Sequence, residues 1–140
     1  MDWNRLLSRA RPGLSRQHPD SEARTDFQRD FDRIVFSSAF RRLQDKTQVF
    51  PLSQSDYVRT RLTHSLEVSS VGRSLGAMVG DSVIRRHGLK GVYPQDFGAV
   101  VAAACLAHDI GNPPFGHAGE DAIRLWFTAS TSGRAVLERL

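Results

Sequence analysis

The stretch from Gln95 to about His108 constrains the fold more than any other part of the sequence, because it is apolar almost all round. A helix with this pattern has no polar face for water and belongs in the middle of a core. Pro94 suits the first turn of such a helix. The run Gly111-Asn112-Pro113-Pro114 ends it, since prolines donate no amide hydrogen and do not fit a helix interior. Other segments must therefore pack around this one.

Two further helices are predicted before this central segment. Thr25 and Gln28 have the spacing of a capping box, and the helix that they open runs to about Gln44. Its apolar residues share one face: Phe27, Phe31, Ile34, Val35 and Ala39. A long helix runs from about Arg59 to His87, and Gly88 is its expected C-cap. The larger apolar residues of this helix keep roughly helical spacing: Leu62, Leu66, Val71, Leu75, Met78 and Val83.

The remaining segments are shorter. Residues 116–127 and 134–140 are predicted as helices, and residues 47–52 as a short extended piece stopped by Pro51. Residues 1–24 are arginine-rich with little periodicity, which predicts a flexible or loosely docked arm. The fold class is therefore all-α, with one helical domain over residues 25–140. The sequence follows a helical pattern up to Leu140 without a stop signal, so we expect the domain to be truncated on its C-terminal side.

Composition and charge narrow the function classes. Hydrophobic residues make up 40% and charged residues 24% of the 140, which is typical of a globular protein. No apolar run is long enough for a membrane helix and no signal peptide is present, so we expect a cytoplasmic protein without membrane contact. The net charge of +4 comes from the arginine-rich first 62 residues. Arginine suits phosphate oxygens, which is compatible with a polyanionic ligand or with nucleic acid, including single strands. The alternative is that most of these side chains are solvated, and charge alone does not decide between them.

An adjacent histidine and aspartate stand where the central helix is predicted to end. Side chains of neighbouring residues point about 100° apart on a helix, but where the backbone unwinds His108 and Asp109 can converge on one ion. Imidazole nitrogen and carboxylate oxygen suit a divalent cation such as Mn²⁺, Fe²⁺, Zn²⁺ or Mg²⁺. His64, between Leu62 and Leu66 and so near a core-facing side of the long helix, is the best third ligand. The alternative is that these histidines are structural and hydrogen-bonded.

A second histidine and carboxylate follow the proline break. His117 and Glu120 stand three residues apart at the start of a helix, so they share a face. A carboxylate that holds one ring nitrogen leaves the other to act as acid or base, or to orient a water molecule. The alternative is an ordinary helix start, with Glu120 beside the positive helix end.

Three strings of sequence resemble a known family. His64 followed by His108-Asp109 resembles the pattern of HD-domain metal-dependent phosphohydrolases. The longer strings are similar to one branch, the deoxyguanosinetriphosphate triphosphohydrolase (dGTPase) family: residues 40–52 (FRRLQDKTQVFPL), 58–68 (VRTRLTHSLEV) and 106–120 (LAHDIGNPPFGHAGE). The resemblance covers residues from about 25 to 127, in the family's order.

The resemblance implies an HD-domain helical bundle that cleaves a deoxynucleoside triphosphate, dGTP above all, into deoxynucleoside and inorganic tripolyphosphate. It implies that His64, His108 and Asp109 bind Mg²⁺ or Mn²⁺, that His117 is the catalytic histidine, and that Glu120 is the carboxylate paired with it. Gln48 and Arg61 match positions near the deoxyribose and the phosphates. Further contacts to the anionic substrate are expected from Arg41, Arg42, Lys46 and Arg59.

The resemblance also implies features that these 140 residues do not supply. A fourth ligand, an aspartate, is expected on a helix further along the chain, and Asp121 is a poor substitute because it faces another side of its helix. We therefore expect an N-terminal portion with three of four ligands, and a homo-oligomer at full length. Two alternatives remain: another HD-domain nucleotide phosphohydrolase, and a non-catalytic basic module that binds nucleic acid.

Overall fold

The computed structural model describes residues 2–11, 13, 24–46, 60–113 and 115–139. Every regular element in these ranges is helical, which confirms the all-α class: α1 (Trp3–Leu6), α2 (Asp26–Phe36), α3 (Ser38–Arg41), a 3₁₀ turn (Arg42–Asp45), α4 (Arg61–His87), α5 (Pro94–Ala107), α6 (His117–Ala129) and α7 (Thr131–Leu137). None of these helices is both long and apolar enough to cross a membrane. The extended piece predicted at residues 47–52 lies outside the described ranges. The chain divides into two compact units, residues 1–110 and 111–140.

The single helix predicted from Thr25 to Gln44 is wrong, because Ser37 interrupts it. The predicted capping box is present: the backbone N–H of Thr25 donates to Gln28 Oε1 at 3.1 Å. At Ser37 the backbone is extended, with ψ 144°. The amide of Ser37 donates to the Ile34 carbonyl at 3.0 Å, and the Ser37 hydroxyl accepts from the Phe40 amide at 3.2 Å. One serine therefore ends α2 and caps α3, because its hydroxyl competes with the helical backbone for hydrogen bonds.

Helix α5 takes the central position that its composition predicts. It begins at Pro94, and the Tyr93 amide donates to Asp96 Oδ2 at 2.9 Å, which closes the first turn. Half of its residues are buried: Asp96, Phe97, Gly98, Ala99, Ala102, Ala103 and Leu106. Helices α4 and α2 both pack against it. At the end of α5, Leu106 joins Phe40 and Leu43 in a fully enclosed cluster.

Helix α4 approaches α5 through a row of small residues. The buried positions of α4 are Ser65, Ser69, Gly72, Gly76 and Gly80. The Ser69 hydroxyl donates to the Ala102 carbonyl at 3.0 Å. A β-carbon at Gly76 would lie 2.9 Å from the Phe97 carbonyl oxygen, so only glycine fits this contact. The two helix backbones are therefore in direct contact along this row.

The large apolar residues of α4 do not form its buried face. Val71, Leu75 and Met78 are 61%, 56% and 70% exposed. The prediction that Leu62 and Leu66 mark a core-facing side holds for Leu62, which packs against the enclosed cluster, but is wrong for Leu66, which is exposed. The small residues of α4 form the interface because they let the two backbones come closer and make more van der Waals contacts.

The described part of the predicted N-terminal arm contacts the helices of its unit. The Trp3 ring lies 5.9 Å from the Phe97 ring and 6.0 Å from the His87 ring, measured between centroids. Arg9 donates to Asp26 at 3.0 Å, and Arg11 to Asp30 at 2.8 Å. These contacts attach the described residues from 3 to 11 to α2, α4 and α5. The domain boundary at residue 24 stays a prediction.

Residues 111–140 form a helical pair of their own. Gly111 has a positive φ of 84°, and α6 follows the proline run as predicted. Ser130 separates α6 from α7: its hydroxyl donates to the Trp126 carbonyl at 2.7 Å and accepts from the Gly133 amide at 2.9 Å. The last helix begins earlier than predicted, at Thr131, because this serine caps it.

Replacing Gly76 by alanine is expected to lower the free energy of unfolding by about 1–3 kcal/mol, because the new methyl group must push backbone aside. The higher helix propensity of alanine offsets only part of this loss. Ser82→Ala, at an exposed position of the same helix, is the matched control and is expected to change little. Chemical denaturation followed by circular dichroism measures both, and equal stabilities would contradict the close contact.

Candidate metal centre

The first turn of α4 and the end of α5 bring the predicted ligands to one place. The Thr60 hydroxyl accepts from the Thr63 amide at 3.2 Å and so caps α4. The Arg61 amide donates to the Lys46 carbonyl at 2.8 Å, which joins this turn to the end of the 3₁₀ turn. His64 stands one turn into the helix. At the other side, α5 ends at Ala107, so His108 and Asp109 lie where the helix gives way to turns.

A packed core beneath these residues fixes their backbone. Leu43 and Leu106 are almost completely enclosed. Leu62, next to Arg61, and Ile110, next to Asp109, both pack against this cluster. Because close-packed residues flank the ligands, the ligands have little freedom to shift.

His64, His108 and Asp109 form a group that could hold a metal ion. One donor atom from each of the three side chains lies within 4.8 Å of the others. The two imidazole rings meet edge to face, with their centroids 5.4 Å apart. His64 comes from α4, whereas His108 and Asp109 directly follow the end of α5.

The orientation of His108 suits a metal ligand. Its Nδ1 atom lies 2.6 Å from the Cys105 carbonyl oxygen. A carbonyl oxygen only accepts, so Nδ1 carries a proton, and it is Nε2 that is left to bind a metal ion. A hydrogen bond from the second ring nitrogen to a backbone carbonyl is the usual support of a histidine ligand.

The spacing between the ligands of the pair also fits a shared cation. His108 Nε2 and Asp109 Oδ2 are 3.4 Å apart, which is long for a hydrogen bond. Two acceptors bound at about 2.1 Å to one ion stand roughly 3.0–3.4 Å apart in octahedral or tetrahedral geometry. A divalent cation placed between these two atoms would be bound by both. The residues present therefore fit a metal ion.

Asp109 is buried and is paired with Arg61. The residue is 7% exposed, and its Oδ1 atom accepts from Arg61 Nη1 at 3.0 Å. A buried carboxylate needs such compensation, since desolvation penalises its charge. Arg61, predicted as a phosphate contact, is thus paired in this structure with the aspartate that is the candidate metal ligand.

His117 and Glu120 form the predicted pair at the start of α6, within the second unit. His117 Nδ1 lies 3.1 Å from Glu120 Oε2. The His117 side chain is almost fully exposed. Its Nε2 atom, on the far side of the ring from the carboxylate, is therefore accessible for proton transfer. Asp121 instead accepts from Arg124 at 2.9 Å.

The other predicted substrate contacts are described only in part. Arg41, Arg42 and Lys46 are exposed and make no ion pair within the described ranges, so their charges face solvent. Lys46 reaches the α4 terminus through its backbone carbonyl alone. Gln48 and Arg59 lie outside the described residues and stay predictions.

Two features of the site have no counterpart in the predictions. The carbonyl oxygen that orients His108 belongs to the backbone of Cys105, so the residue type at this position does not predict the hydrogen bond. Only the spacing of three residues between Cys105 and His108 could have suggested it. The Arg61–Asp109 pair joins residues 48 positions apart. The opposite charges of Arg61, three residues before His64, and of Asp109 were visible in the sequence, but their pairing depends on the fold.

The fold and the site together define a helical domain built around a candidate metal centre. The HD domain family matches residues 61–140, which include all three candidate ligands, and the chain belongs to this family.

Relatives extend the similarity to the whole chain. A deoxyguanosinetriphosphate triphosphohydrolase-like protein of Synechocystis sp. is 58% identical over all of this chain and 33% of its own length. One of Pseudomonas aeruginosa is 54% identical, over 31% of its length. A deoxyguanosinetriphosphate triphosphohydrolase of Yersinia enterocolitica is 47% identical over 91% of this chain and 26% of its own. The chain spans a third or less of the length of these relatives.

Substituting His64 by alanine is expected to weaken Mn²⁺ binding by about 100-fold or more, because the loss of a ligand costs at least as much as the loss of its supporting shell. His87→Ala, at the exposed far end of the same helix, is the control and should bind as the unchanged protein does. Isothermal titration calorimetry measures both affinities. Unchanged binding by His64→Ala would exclude this residue as a ligand.

Proposed function

We propose that the protein is a metal-dependent phosphohydrolase that converts a deoxynucleoside triphosphate, dGTP above all, into deoxynucleoside and inorganic tripolyphosphate. The observation that carries the proposal is the convergence of His64, His108 and Asp109 within 4.8 Å. The names of the relatives support dGTP as substrate. A divalent metal bound by these residues would neutralise phosphate oxygens and polarise the phosphorus under attack.

The reaction requires attack of water on the α-phosphorus and cleavage of its bond to the 5′ oxygen. The water oxygen becomes part of tripolyphosphate, and the 5′ oxygen takes a proton to leave as the nucleoside hydroxyl. His117, held at Nδ1 by Glu120, is the candidate group for moving that proton through Nε2. Glu120 then fixes the tautomer and the direction of the ring.

The arginines and lysine near the start of α4 fit a polyanionic substrate. Arg41, Arg42 and Lys46 are exposed cations within the described part of the chain. Arg61 adds a guanidinium at the metal centre itself. By resemblance, Gln48 reads the deoxyribose and Arg59 contributes a further contact. Mg²⁺ or Mn²⁺ is the proposed ion, a cytoplasmic homo-oligomer the proposed form, and single-stranded nucleic acid a further proposed partner.

Incubation of the full-length protein with dGTP and Mn²⁺ or Mg²⁺ is expected to release deoxyguanosine and tripolyphosphate, which chromatography and phosphorus NMR identify. His108→Ala is expected to abolish turnover, while His87→Ala retains it. Pyrophosphate or orthophosphate as the sole product would instead support another HD-domain phosphohydrolase. Salt-sensitive binding of single-stranded DNA without turnover would favour the basic nucleic-acid module.

His117→Ala is expected to lower kcat by about 10²–10⁴-fold, the usual contribution of a general acid or base. Its Mn²⁺ affinity should stay within about twofold of the unchanged protein, because His117 is not among the three proposed ligands. Asp121→Asn, at the neighbouring residue, is the matched control with normal turnover. A His117→Ala enzyme with full activity would remove the residue from the mechanism.

A further inference from the structure

The Arg61–Asp109 ion pair places a fixed positive charge on a proposed metal ligand. Arg61 Nη1 is 3.0 Å from Asp109 Oδ1, and the two side chains are 25% and 10% exposed. The other oxygen of the same carboxylate, Oδ2, is the atom that faces His108 Nε2. Arg61 and His108 thus lie next to different oxygens of the Asp109 carboxylate.

The formal charge of the cluster follows from this arrangement. Metal-ligating imidazoles are neutral, so His64 and His108 contribute no charge. Asp109 contributes one negative charge and Arg61 cancels it. These four described residues therefore carry no net charge together, and one of them, Arg61, would repel a divalent cation at the site.

We infer that Arg61 is a permanent counter-cation of Asp109, so that a metal ion would share this carboxylate with the guanidinium. Arg61 therefore lowers the affinity of the centre for the metal. This inference rests on the proposed metal centre and assigns to Arg61 the role of a positioning residue. Arg61 stabilises the buried carboxylate in the metal-free protein and holds Oδ1, while Oδ2 is the oxygen near His108 Nε2. The metal then binds a carboxylate whose charge is already partly neutralised.

The sign of the effect follows from electrostatics. Removal of Arg61 leaves a buried carboxylate without this cation, which destabilises the metal-free protein. The same removal takes away the repulsion between the guanidinium and the bound ion. For charges of +1 and +2 about 5 Å apart, this repulsion corresponds to a change of at least about tenfold in affinity even in a water-like dielectric, and the partial burial of the pair makes it larger. Loss of a ligand or of a structural support would change the affinity in the opposite direction.

Arg61→Gln is therefore expected to bind Mn²⁺ at least about tenfold more tightly than the unchanged protein. Arg61→Lys keeps the positive charge and should bind within about threefold of the unchanged protein. Arg86→Gln removes the same charge from an exposed residue at the far end of α4 and should have no effect, since about 37 Å of helix separates it from Arg61. Manganese binding to the purified protein, followed by electron paramagnetic resonance of the free ion, measures all four affinities.

Weaker or unchanged Mn²⁺ binding by Arg61→Gln would overturn the inference while leaving the metal centre in place. Absence of Mn²⁺ binding in all four proteins would overturn the metal centre as well, so the two failures are distinct. If Arg61→Gln is unfolded in EDTA, circular dichroism provides the readout. Recovery of the helical signal on addition of Mn²⁺ supports the inference, and failure to recover it counts against the inference.

Discussion

The close contact between α4 and α5 is the constraint on which the candidate metal centre depends. A β-carbon at Gly72 would lie 2.7 Å from Cys105 Sγ, and one at Gly76 would meet the backbone at Phe97. His64 belongs to α4, whereas His108 and Asp109 follow α5 directly, so the spacing of the helices sets the spacing of the ligands. Larger side chains along the contact would move the backbones apart, and the three donor atoms would no longer fit one ion.

A second constraint is the charge of Asp109, which links the fold to the site. Desolvation makes a buried carboxylate costly unless cations or hydrogen bonds compensate it. Here the compensation comes from a guanidinium on the first turn of the long helix. The positive end of that helix adds a favourable field for a negative charge nearby. The carboxylate therefore helps to hold the start of α4 against the end of α5 before any metal is considered.

Local chemistry made the helix ends predictable from the sequence. Pro94, Gly88 and the pair Thr25–Gln28 act through the backbone within a few residues, and each has its predicted role. The burial of α4 was not predictable from hydrophobicity alone, because a row of small residues excluded the larger ones from the interface. The break at Ser37 and the partner of Arg61 were missed as well. A serine is compatible with a helix, and a contact across 48 residues depends on the whole fold.

The three candidate ligands differ in how the protein orients them. His108 is held by the Cys105 carbonyl and Asp109 by Arg61, so both are positioned by the protein itself. For the His64 ring, the described residues provide a ring contact with His108 but no hydrogen bond. A metal ion would supply the missing attachment and join α4 to the end of α5. Because its ligands lie 44 residues apart between His64 and His108, binding would favour the folded state over the unfolded chain by mass action. The ion would act at the start of α4, whereas the glycine contacts hold the middle of that helix, so the two attachments complement each other along its length.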